Sequence, residues 1–294
     1  MKTSVQKRIY IYIILLIIFT GIVHAITAFT KNKNMASMLI MWTPGLAALL
    51  VSLFAKRSLK LIGWKLSVKW ISIGWIFPVV YATVAYSAIW ILGLGGVPNP
   101  TFLERARLTL GMESGSDSLV IISAFFYITI VNLLPSAFMA LGEEIGWRGF
   151  LVPELSEWVG LKKAGLISGI IWGTWHLPGI LFGNYGRTET PLWFRLTCFT
   201  ILVISTAVLL AWLRMKSGSI WPVVIFHATH NGVIQMFFNR ITADTGKTTW
   251  FTGEFGFALV PVLVLTSILV YKNMSGQPEK TMYKTPKLSD LKNM

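Results

Sequence analysis

The chain has 294 residues and a net charge of +14. With 54% hydrophobic and 13% charged residues, against about a quarter charged in an average soluble domain, the composition excludes a soluble globular protein and marks a polytopic membrane protein. Its lysines and arginines fall between apolar runs and form no continuous basic patch, which excludes nucleic acid as a partner, and one cysteine, Cys198, leaves no internal disulfide or Cys-based metal cluster.

Apolar runs of the length that crosses ~30 Å of hydrocarbon lie at 9–30, 37–55, 70–94, 119–152, 164–182, 192–213, 218–238 and 255–271. The expected fold is therefore all-α, with about eight transmembrane helices around a polar cavity. The first run lacks a small-residue cleavage site and reads as a retained span, and the fourth is too long for a plain crossing. Lys and Arg number 18 on the side that holds both ends of the chain and 8 on the other, so the positive-inside rule puts both termini in the cytoplasm, in a cell-membrane protein. The connector 95–118 opens as a Gly- and Pro-rich loop, and 102–108 reads either as a short amphipathic segment on the membrane surface or as a solvated linker. Trp64, Trp70, Trp75, Trp90, Trp212 and Trp221 stand near span ends, where indoles anchor helices in the interface. The lysine-rich tail from Lys272, with Pro278 and Pro286, is expected to be disordered and to touch anionic lipid.

Against this background the string Gly142-Glu143-Glu144-Ile145-Gly146-Trp147-Arg148-Gly149 is anomalous. Each charge at bilayer depth costs at least ~2.5–3.5 kcal/mol on insertion scales, so ionisable groups there mark a functional site by default. Two further spans carry such groups, His176 in the fifth and His227, His230 and Asn231 in the seventh. Measured from Pro153, Lys163 and Lys216, the residues Glu143, His176 and His227 all lie ~15–20 Å deep at 1.5 Å per residue. Gly165, Gly169 and Gly173 form a small-residue strip that invites a close helix neighbour, and His176 falls within its angular range, hence toward the bundle. His227 and Asn231, four residues apart, share one helix face.

Glu144 and Arg148 have the i,i+4 spacing of a helical ion pair, which leaves Glu143 free as a general base for a water molecule. In that scheme His176 helps hold the water, and His227 with Asn231 donates hydrogen bonds to the oxyanion of an attacked peptide carbonyl. An ion such as Zn²⁺ on Glu143, His176 and His227 would be an alternative source of the nucleophile. The metal-free scheme is preferred, because the chain has no His-Glu-x-x-His helix and asparagine is a poor zinc ligand. His24, which has no partner motif, reads as structural, His230 as structural or supporting, and Trp147 and Trp175 as packing.

Glu143-Glu144-x-x-x-Arg148, Trp172-x-x-x-His176 and His227-x-x-x-Asn231 together resemble the three signature motifs of the CPBP intramembrane proteases. That family includes the type II CAAX prenyl endopeptidases and the bacterial Abi proteins associated with bacteriocin self-immunity. The resemblance covers about 119–239. It implies a multi-helix membrane fold with a polar cavity, an endopeptidase whose first glutamate activates water, and a peptide or protein substrate met at the lipid bilayer. The family is often labelled metalloprotease, and the residues leave the metal open. Trp172 stands where the family commonly has Phe, an exchange expected to alter cavity shape more than chemistry. The chain accordingly divides into N-terminal spans and connector (1–118), a catalytic core (119–239), and a last span with a basic tail (240–294). A proton-coupled secondary transporter and a non-catalytic membrane scaffold are the competing functions; the absence of counterpart polar residues in the first three spans disfavours the transporter.

Overall fold

A computed structural model describes residues 4–30, 33–183, 185–186 and 189–274; the greater part of the lysine-rich tail lies outside them. The described residues form helices and connecting loops with no strand, Gly96 and Ala243 making an isolated antiparallel bridge. In chain order the helices are α1 (Val5–Thr30), α2 (Lys33–Phe54), α3 (Val68–Ile91), α4 (Pro100–Leu110), α5 (Asp117–Phe126), α6 (Leu133–Gly146), α7 (Val152–Val159), α8 (Leu161–Leu181), α9 (Leu192–Ser217), α10 (Trp221–Asn231), α11 (Asn239–Ile241) and α12 (Leu259–Asn273). Wider π-helical stretches follow α5 at Tyr127–Val131, join α6 to α7 at Trp147–Leu151, and continue α10 at Gly232–Phe238.

Apolar side chains such as Ile14 and Ile17 on α1, Val80 and Val84 on α3, and Leu265 and Leu269 on α12 are exposed. A soluble protein would bury them; here they are the lipid-facing surface of an integral membrane protein. Among the described residues three helices, α1, α3 and α9, are individually long and apolar enough to cross. A fourth span arises if the pair Asp117–Val131 and Leu133–Val159, bent by 43°, is counted as one. The overlong run of the sequence is thus a broken element, interrupted at Asn132 and widened again after Gly146, and the sequence count of eight is not matched by single helices of full length.

Close packing at small residues sets the bundle. A Cβ on Gly169 would lie 2.9 Å from Ala207 Cβ and from Ile204 Cα, so the glycine strip of α8 receives α9 as expected. On the other side, α6 rests on α2, where a Cβ on Gly146 would come within 2.4 Å of Pro44 Cβ. Helix α4 settles the reading of the connector. Asn99 caps it by accepting from Thr101 N–H at 3.0 Å, Gly111 ends it at φ 64°, and its apolar face is buried, Phe102 meeting Phe237 edge to face. The indoles at span ends also link protein to protein: Trp221 Nε1 donates to Trp64 O at 3.1 Å and Trp75 Nε1 to Thr129 O at 3.0 Å. At one end of the bundle Glu154 on α7 binds Arg8 of α1 at 2.7 Å and Arg57, just after α2, at 2.9 Å.

Candidate active site

Helices α6, α8 and α10 bring Glu143, His176, His227 and Asn231 to the wall of one cavity of about 410 Å³. Its other walls are mixed, with Phe199, Leu202, Val203 and Phe226 apolar and Glu254, Gln235 and Tyr185 polar. His24, which the sequence gives no partner, lines it too.

Three elements fix the depth of these groups. The π turn after Gly146 keeps Arg148 one turn below Glu144, and Arg148 Nη1 donates to Glu144 Oε1 at 2.8 Å with both side chains fully buried. The same oxygen accepts His227 Nδ1 at 2.8 Å. Glu144 therefore ties α6 to α10 as well as holding Arg148, a second role that helical spacing alone does not reveal. The start of α10 is set in turn by Ile220 N–H donating to Gly63 O at 2.8 Å.

Glu143 is not free, as the sequence suggests, but oriented. Trp172 Nε1 and Trp147 Nε1 both donate to its Oε2, at 2.8 and 3.2 Å, and neither engages Oε1. Trp147 is thus a donor as well as a packing residue, and tryptophan in place of phenylalanine at 172 adds a hydrogen bond and does not merely reshape the wall. The Trp172 ring is also the hub of the site. The Arg148 guanidinium sits 4.3 Å from its centroid, and the rings of His227 and His176 lie 5.5 and 5.8 Å away.

Hydrogen bonding fixes the tautomers. His176 Nδ1 is 2.8 Å from the carbonyl of Trp172, and a carbonyl can only accept. Nδ1 therefore carries a proton, and Nε2 of the neutral ring has its lone pair available. His227 Nδ1 likewise donates to a carboxylate, so its Nε2 bears a proton only when the ring is an imidazolium.

A second polar cluster borders the same cavity. His230 bonds Tyr81 Oη through Nδ1 and Glu254 Oε1 through Nε2 at 3.0 Å, while Glu254 Oε2 accepts from Tyr185 Oη at 2.9 Å and Gln235 Nε2 at 3.1 Å. Sequence reasoning missed Glu254, Tyr185 and Gln235. Glu254 lies in the connector 242–258, outside every motif, and its signal was a lone acidic residue beside an apolar run.

Among the described residues no three His, Cys, Asp or Glu side chains converge as a metal-binding group. A catalytic zinc uses three protein ligands and a water, so Glu143, His176 and His227 as arranged do not fit that set.

A model of the Rce1-like family, type II CAAX prenyl endopeptidase, matches residues 120–233. The chain is also similar to a protein named CAAX prenyl protease 2 from Methanococcus maripaludis, with 28% identity over 239 residues, covering 77% of this chain and 81% of that protein.

Proposed function

We propose that this chain, which a model of the Rce1-like family of type II CAAX prenyl endopeptidases matches over residues 120–233, is a membrane peptidase of that family and cuts its peptide substrate in the cavity of α6, α8 and α10 by attack of a glutamate-activated water. The observation that carries the reading is the convergence of Glu143, His176, His227 and Asn231 from three separate helices on one cavity. Glu143 Oε1, left open by the indoles that hold Oε2, takes a proton from the water. His176 Nε2 accepts the water's other hydrogen and so aims an oxygen lone pair at the scissile carbonyl. Asn231 donates to the oxygen of that carbonyl as it becomes an oxyanion. His227 donates alongside it in the imidazolium form, which the Glu144 carboxylate at Nδ1 supports. The proton on Glu143 then passes to the leaving amine, so that water is added across the C–N bond. Arg148 touches neither partner and holds Glu144.

In this reading 119–239 is the catalytic core, 1–118 the scaffold of α6, and 240–294 the last span and tail, with both termini in the cytoplasm as the basic asymmetry supports. The name of the Methanococcus protein makes a farnesylated C-a-a-X peptide the first substrate to try. Purified full-length protein in detergent should release the terminal tripeptide, and Glu143→Gln should lower kcat by about 10²–10⁴-fold, the usual contribution of a general base. Equal rates for the two would overturn the base assignment. A wild-type protein that leaves both prenylated and unmodified peptides intact would return the chain to the scaffold reading.

A further inference from the structure

Glu254 is a carboxylate buried beside a cavity within a membrane protein, where an ionisable side chain is costly unless several donors meet it. Three do, and they come from two parts of the chain: Tyr185 from the connector after α8, and His230 and Gln235 from α10 and its π-helical continuation. His230 is one turn from His227 and adjacent to Asn231. Tyr185, at the other end, stacks on the ring of His176 with centroids 5.5 Å apart and planes 23° from parallel. An unbroken line of contacts thus runs from His176 through Tyr185, Glu254 and His230 to the helix that carries the oxyanion donors.

The rest of the junction is built to hold this line. The His176 ring, which also faces the cavity, meets Trp175 at 4.8 Å and Phe199 at 5.1 Å, both edge to face, so the Tyr185 stack adds a third aromatic support beyond Trp172. Phe255, next to Glu254, stacks on Phe199 at 4.8 Å and crosses Tyr185 at 5.3 Å. The backbone beside Glu254 is anchored as well, Gly253 N–H donating to Tyr86 Oη at 2.9 Å.

We propose that Glu254 is a positioning residue for the peptidase reaction, holding Tyr185 against His176 and thereby setting the spacing between His176 on α8 and the His227–Asn231 pair on α10. The kinetic part of this inference rests on the peptidase reading above; the spectroscopic part does not.

The test uses full-length protein in detergent micelles with ¹⁵N-labelled histidine, the four histidines being assigned by removing each in turn. Tyr185→Phe deletes the hydroxyl and keeps the ring; Glu254→Gln keeps the shape and removes the charge. Both should shift the ring-nitrogen signals of His176 while leaving those of His24 in place. On a farnesylated C-a-a-X peptide each should lower kcat by about tenfold with KM within about twofold, since small misplacements at reacting centres cost this much or more. The double variant should be no slower than either single, because both remove one link. Unmoved His176 signals in both variants, single losses that multiply in the double, or an effect confined to KM would each overturn the proposal. If Glu254→Gln does not fold, Tyr185→Phe decides alone. If the wild type cleaves no peptide, the peptidase reading fails and the His176 signals still decide this one.

Discussion

Glu144 serves a guanidinium and an imidazole through a single oxygen, and all of it is buried. Removing one partner of a buried ion pair leaves the other charge without a counter-ion, which costs about 3–5 kcal/mol, whereas replacing both by apolar groups of similar volume is often close to neutral. Glu144→Ala should therefore lower the thermal midpoint of the purified protein far more than the double change Glu144→Leu with Arg148→Met. The double variant should nevertheless be inactive, because His227 Nδ1 has lost its acceptor. A double variant as unstable as the single, or one that still cleaves, would show that Glu144 does not couple the two groups. The Glu144–Arg148 pair was legible from spacing along one helix. The Trp172 donor to Glu143 and the link to His227 were not, since they depend on which turn of α8 and α10 faces α6, whereas Trp147 stands at i+4 from Glu143 and only its donor role was missed. Glu254 was hidden for the same reason: its partners are 19 or more residues away in sequence and it belongs to no periodic pattern.

At the scale of the element, α6 is placed by its contact with α2 and released by its π turn. A methyl group on Gly146 would meet Pro44 Cβ at 2.4 Å and Pro44 backbone C at 2.5 Å, so α2 must move to admit it. Gly146→Ala is expected to cost about 1–3 kcal/mol, in the range of overpacked cores, and to depress activity by displacing Glu143 and Glu144. Gly173→Ala, where the nearest atom is Val203 Cγ1 at 3.9 Å, should stay within about 1 kcal/mol, the size of the helix-propensity gain. Thermal unfolding and peptide cleavage of the two variants side by side check this; equal behaviour would mean that the α6–α2 contact does not set the site. Hydropathy found every apolar stretch that became a helix but not the break at Asn132 or the π turns. A run of apolar residues is equally compatible with a straight helix and a bent one. The strip Gly165, Gly169 and Gly173 was readable because close approach to α9 demands small residues at helical spacing.

For the whole molecule, the charge asymmetry of 18 against 8 basic residues is an orientation signal. Fusing green fluorescent protein or alkaline phosphatase to the C-terminus checks it: fluorescence without phosphatase activity is expected, and the opposite pattern would invert the topology. The triad Arg8–Glu154–Arg57 adds a condition that concerns time. Arg8 and Glu154 are 146 residues apart, so at synthesis rates of ~5–20 residues per second Glu154 follows Arg8 out of the ribosome by roughly 7–30 s. Helix α1 meets α2 earlier, through contacts such as Thr20 Oγ1 to Thr43 Oγ1 at 3.2 Å, so the ion pair with α7 closes onto a helix pair that can already have formed. His227 and Asn231 emerge later still. On the proposed mechanism a chain made in this order cannot cut anything, itself included, until Asn231, nearly four-fifths of the way along its 294 residues, has been translated.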